Sequence, residues 1–156
     1  MANRVARDSA FRVYSDLRTV ATRRVLVVDD EADVRKTLTD ILRAMRYAEP
    51  LEVEEVPGGR EGLDAVVRQR PDLVLLDLQM PRLDGLALLK QIREVEPRLP
   101  VIVISGTQEN KMSSEALRHG AVAYLPKPFD PRHVEMLVTM FLDSTKPRPP
   151  KPVPGV

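Results

Sequence analysis

A doubly wound α/β fold, with a five-stranded parallel sheet covered by helices on both faces, is the architecture this sequence predicts. Three observations lead to it. Between residues 25 and 142, apolar runs alternate five times with stretches of helical periodicity. The runs at 25–28, 73–78 and 101–104 are almost continuously apolar, as parallel strands buried on both faces are. Residues able to do chemistry stand at the ends of these runs, where open α/β sheets carry their ligands.

The elements follow in order. After the run at 25–28 come Val34, Leu38, Ile41, Leu42 and Met45, spaced i, i+4, i+7, i+8, i+11 as one face of a helix. Residues 51–56 alternate at first, Leu51 and Val53 against Glu52 and Glu54, which marks an edge strand with one wet face. Pro57-Gly58-Gly59 then turns the chain into a helix with Leu63, Val66 and Val67 on one side. The run at 73–78 leads to a helix carrying Leu88, Leu89, Ile92 and Val95, and the run at 101–104 to a weaker helix around 112–118 that ends at Gly120. Residues 121–125 read as a fifth strand, and Val134, Leu137, Val138 and Phe141 as a final helical stripe. With the mixed run at the edge, the strand order is the flavodoxin-like 2-1-3-4-5.

The 156 residues divide into a domain at 23–143, an N-terminal basic extension at 1–22 and a Pro-rich tail or linker at 144–156. The net charge of +1 hides an asymmetry. Residues 1–24 carry six Arg against two Asp, while 25–143 hold 15 basic and 21 acidic side chains, a balance of −6. Duplex binding needs a concentrated basic face, so an acidic body is a poor nucleic-acid platform. The chain has no Cys, which removes disulfides, thiolate metal sites and thiol nucleophiles together. Neither a membrane span nor a signal peptide is evident, and a cytoplasmic location is the simplest expectation. In the extension, Ala10, Val13, Tyr14, Leu17 and Ala21 form an amphipathic stripe. It reads either as an added helix that docks on the domain, on a second subunit or on an upstream domain, or as a frayed basic arm.

Five residues at the strand ends carry the functional expectation. Asp29 and Asp30 follow the first run, Asp77 ends the third, Ser105 follows the fourth and Lys127 the fifth. Two carboxylates ~4 Å apart repel by about 4 kcal/mol at an effective dielectric near 20, so three converging carboxylates call for a cation. Oxygen ligands of this kind suit Mg²⁺, which completes its shell with water and phosphate. The matching chemistry is phosphoryl transfer to a carboxylate, with Asp77 as nucleophile, Asp29 and Asp30 as metal holders, and Lys127 and Ser105 on phosphoryl oxygens. Taken singly, each has an ordinary explanation: Asp30 as a helix cap, Ser105-Gly106 as a turn, Lys127 as a solvated cation. Their convergence on one rim favours function. Asp84-Gly85 reads as a turn and helix start, and His119 and His133, away from strand ends, as structural or solvent-facing.

The segments Val25-Leu26-Val27-Val28-Asp29-Asp30-Glu31, Asp72-Leu73-Val74-Leu75-Leu76-Asp77-Leu78-Gln79-Met80-Pro81, Val103-Ile104-Ser105-Gly106 and Tyr124-Leu125-Pro126-Lys127-Pro128-Phe129 resemble the receiver domains of two-component response regulators, of the chemotaxis-regulator kind. The resemblance covers roughly 23–143. It implies a sensor histidine kinase or phosphotransfer protein as donor to the phosphoacceptor Asp77. It also implies a metal shell of Asp29, Asp30, Asp77 and the backbone carbonyl of Gln79, and a switch pair of Ser105 and Tyr124. The face formed by helix 4, strand 5 and helix 5 would bind a downstream protein, with a homodimer as a further partner reading. A cis Lys127–Pro128 bond is part of the same expectation.

Three functions compete. The first is a phosphorylation-controlled interaction module, a non-enzyme apart from promoting its own phosphoryl transfer and autodephosphorylation. The second is a receiver belonging to a larger transcriptional regulator or hybrid kinase. The third is an Asp-nucleophile phosphohydrolase of the haloacid dehalogenase type. That class needs an acid two residues after its nucleophile, where Gln79 stands.

Overall fold

The computed structural model describes residues 21–80, 84–106 and 110–146. Five parallel strands, β1 (Arg23–Val28), β2 (Leu51–Val56), β3 (Leu73–Asp77), β4 (Val101–Gly106) and β5 (Ala123–Lys127), form one sheet in the order β2-β1-β3-β4-β5. Between and after them lie α1 (Ala32–Ala44), α2 (Gly59–Gln69), α3 (Gly85–Val95), α4 (Asn110–Arg118) and α5 (Pro131–Asp143). The predicted class, topology and edge position of β2 are all observed. Among the described residues, no helix is long and apolar enough to cross a membrane.

The side-chain alternation of the strands builds two cores. Leu26, Val28, Val74, Leu76, Val101 and Val103 face α2, α3 and α4, packing on Ala65, Val66, Leu88, Leu89, Ile92 and Ala116. Val25, Val27, Leu73, Leu75, Ile102 and Ile104 point the other way, onto Leu38 and Leu42 of α1 and Val134, Leu137, Val138 and Leu142 of α5. Both strand faces are therefore apolar, and the central runs read as continuous for that reason. Burial of one Leu side chain stabilises by roughly 1.5–3 kcal/mol, so removing any of these from the sheet is costly.

The strands run further toward the rim than their apolar residues. The fifth lies two residues later than 121–125, and includes Pro126 and Lys127. Among the described residues β5 pairs with β4 alone, Pro126 lying beside Ser105. At a sheet edge a residue without an N–H is tolerated, and so the proline does not end the strand. β4 likewise extends through Ser105 and Gly106. These extensions carry the polar residues to the rim as parts of strands rather than of loops.

Candidate functional site at the carboxyl rim of the sheet

Register brings the chemistry together. Val28 of β1 lies beside Leu76 of β3, so Asp29 and Asp77 end adjacent strands. Both are fully buried, at 0 % exposure, as is Ser105. Lys127, at the end of β5, reaches across with its Nζ 3.2 Å from Asp77 Oδ2 and 3.3 Å from Asp29 Oδ2. The peptide bond from Lys127 to Pro128 is cis.

Backbone donors fix the two carboxylates. The N–H of Glu31 donates to Asp29 Oδ1 and the N–H of Gln79 to Asp77 Oδ1, each at 2.9 Å. Each Asp thus makes a local turn that aims its other oxygen at Lys127. Arg35 of α1 donates Nη1 to the Asp29 carbonyl at 2.7 Å, which ties the first helix to the rim. Behind β3, the N–H of Gly85 donates to the Leu78 carbonyl at 3.3 Å. A Cβ on Gly85 would stand 2.4 Å from the Asp77 carbonyl oxygen, so only glycine lets α3 approach this closely.

Burial dominates the electrostatics. It pushes the Asp29 carboxyl up to about 6, the hydrogen bond from Glu31 opposing and the Asp77 charge adding to the rise. Asp77 is also raised, first by burial, with the Gln79 N–H and Lys127 opposing. Burial alone would lower Lys127, but Asp77 and Asp29 hold it above the usual ammonium value. Two buried carboxylates that resist carrying charge would be favoured by a cation beside them.

The donor set fits Mg²⁺. Oxygens of Asp29, Asp30, Glu31 and Asp77 all lie within 4.8 Å of one another, and all are hard carboxylate ligands. Asp30 is exposed, and the N-cap position of α1 is Glu31, whose side chain makes no capping bond. The ordinary explanation of Asp30 as the helix cap therefore fails. Asp84, by contrast, caps α3 by accepting from the Leu86 N–H at 2.9 Å, as its sequence context predicted.

Ser105 and Tyr124, the pair expected from the resemblance to form a switch, sit close by on β4 and β5. Ser105 Oγ is 3.4 Å from the Gly106 carbonyl, and the half-buried Tyr124 packs on the first core with its hydroxyl 3.5 Å from the same carbonyl. His119 lies 4.0 Å from Glu115 on the surface of α4, and His133 is on α5, both away from the rim. Sequence reasoning missed two residues that touch the cluster, Glu31 and Arg35. Both follow the Asp29-Asp30 pair closely, but neither ends a strand, so the rule that found the others passed over them.

The family described as the response regulator receiver domain matches residues 25–139. The chain belongs to this family. Receiver domains are the phosphorylation-dependent switches of two-component signalling, signalling modules rather than conventional enzymes, and Mg²⁺ binding in an acidic pocket is general among them. The chain is 42 % identical over 106 residues to the response regulator MprA of Mycolicibacterium vanbaalenii, a match covering 68 % of this chain and 44 % of that protein. It is 38 % identical over 128 residues to the DNA-binding transcriptional regulator NtrC of Escherichia coli, covering 80 % of this chain and 26 % of NtrC. The matches thus span less than half of these relatives. The crystal structure of the receiver domain of NtrX from Brucella abortus superimposes with a TM-score of 0.72 at 34 % identity, over 78 % of this chain and 99 % of that one.

Proposed function

We propose that this chain accepts a phosphoryl group from a sensor histidine kinase or phosphotransfer protein onto Asp77, and that the resulting change at the rim alters the partner-binding face of α4, β5 and α5. The observation that carries this reading is the buried Asp29–Asp77 pair, 3.3 and 3.2 Å from a single Lys127 ammonium at the carboxyl end of a parallel sheet. Asp77 is the nucleophile. Its oxygen attacks phosphorus as the bond to the donor imidazole breaks, and the imidazole keeps the electron pair. Because the Gln79 N–H and Lys127 already orient the carboxylate, little reorganisation remains when the donor docks.

Asp29, Asp30, Asp77 and the backbone carbonyl of Gln79 are the proposed holders of Mg²⁺, which when bound neutralises charge on the transferring phosphoryl oxygens. Lys127 then serves one phosphoryl oxygen and Ser105 another. Ser105 moving toward the phosphoryl group frees space behind it for Tyr124, and that pair forms the switch. Attack by water on the same phosphorus resets it, as autodephosphorylation. In this reading 23–143 is the receiver, 1–22 and 144–156 are its extensions, and the protein works in the cytoplasm.

A second reading has specific support. The relatives are two to four times longer than the matched segment, and NtrC is named as DNA-binding. The chain would then be the receiver of a larger transcriptional regulator, with DNA contacts made by another domain and not by this acidic body. Incubation with Mg²⁺ and acetyl phosphate tests the shared core of both readings. The expected result is one base-labile phosphoryl group per chain, absent from Asp77→Asn. Equal labelling of that variant would sink the assignment.

A further inference from the structure

The Lys127 ammonium has a third partner that the proposed chemistry leaves unused. Glu31 Oε1 stands 3.5 Å from Nζ, and this carboxylate is 63 % exposed while those of Asp29 and Asp77 are 1 % and 0 %. An ammonium has three donors, and here three carboxylates surround it, two deep in the rim and one at its mouth. Lys127 rests closest to the buried pair, and without the outer partner it would have no second place to go when a cation arrives. It would then occupy the negative charge that a divalent cation needs.

We propose that Glu31 is a positioning residue, its carboxylate offering the Lys127 ammonium a partner at the mouth of the site, so that the lysine yields the Asp29–Asp77 pair when a divalent cation binds. This rests on the proposed function, since it concerns the same cation and the same lysine. Glu31 also has an oxygen within 4.8 Å of the other three carboxylates, but it is exposed, so water and salt screen its direct pull on the cation. Its influence runs through Lys127.

Mg²⁺ titration followed by calorimetry tests this in four proteins: wild type, Glu31→Gln, Lys127→Met and the double variant. Glu31 is exposed, so its replacement leaves the fold intact, and thermal melts of all four verify this. Glu31→Gln should raise the Mg²⁺ Kd about fivefold in the wild-type background and less than about twofold beside Lys127→Met, where no ammonium remains to be positioned. The Lys127 side-chain NMR resonances should also shift in Glu31→Gln before any metal is added. Equal affinity in wild type and Glu31→Gln would overturn the inference, and so would a fivefold loss that persists beside Lys127→Met. A wild type that binds no Mg²⁺ at all would instead remove the proposed function, and Glu31's role with it.

Discussion

At Asp29 the fold imposes a charge it does not welcome. The residue is fully buried, and that burial pushes its carboxyl up to about 6 from the ordinary 3.8. A folded-state value above the unfolded one means that the unfolded chain gives up its proton first as pH rises. Stability in the absence of metal should therefore fall between about pH 4 and pH 6 and stay lower above that window. Asp29→Asn should remove the penalty and also relieve Asp77 of a neighbouring like charge. The expected gain is on the order of 1–3 kcal/mol at pH 7.5, vanishing near pH 4, measured as melting temperature in metal-free buffer. A variant that melts lower than wild type at pH 7.5 would mean that the lost Lys127 contact outweighs the relief. Under the proposed function, the same substitution should weaken Mg²⁺ binding.

Among the elements, the approach of α3 to the end of β3 sets the position of Asp77. The helix begins with the Asp84 cap and Gly85, whose missing side chain lets the helix lie against the Asp77 and Leu78 backbone. Gly85→Ala forces a Cβ within 2.4 Å of the Asp77 carbonyl oxygen and 2.6 Å of Leu78 Cα, so backbone must move. The expected cost is about 1–3 kcal/mol, read from urea unfolding, with slower labelling by acetyl phosphate in the protein that remains folded. Unchanged stability together with unchanged labelling would show that α3 shifts without disturbing Asp77. The other ends of α3 and α4 are joined by Arg93, whose guanidinium donates to the carbonyls of Glu96, Pro97 and Gly120. Gly120 takes a φ of 95° there, a left-handed turn that admits little but glycine.

Across the whole molecule, the buried Arg23 helps to close the pole opposite the rim. Arg23 is 4 % exposed at the start of β1, and its guanidinium meets Glu49 at 3.2 Å and the Thr145 carbonyl at 2.8 Å. The contact to Thr145 bridges 122 residues and pins the chain just after α5 to the first strand. Tyr47 reinforces it, donating to Asp143 at 2.7 Å. Arg23→Met should leave the Thr145 carbonyl unpaired and cost about 1–3 kcal/mol in urea unfolding. Amide exchange in the last turn of α5 should rise more than in the central strands, which would be the sign that the pin is local. The amphipathic stripe at 10–21 lies almost wholly outside the described residues, as does most of the Pro-rich tail.

The order of elements, the topology and the rim residues Asp29, Asp30, Asp77, Ser105 and Lys127 were legible in the sequence by itself. Strands buried on both faces must be apolar throughout, so the polar residues that end them stand out, and parallel pairing carries those ends to one rim. Tertiary structure alone decided the rest. Pro126 was expected to lie beyond the fifth strand, and it stays in β5 because its pairing with Ser105 continues the strand at an edge that tolerates a residue without an N–H. Gly85 is obligatory through its contact with β3, and Glu31 and Arg35 matter through what they meet across the rim. Arg23 looks like one more basic residue until Thr145 folds back over it. Periodicity records which face of an element is buried, whereas a contact between residues a hundred positions apart leaves no mark on the local pattern of either.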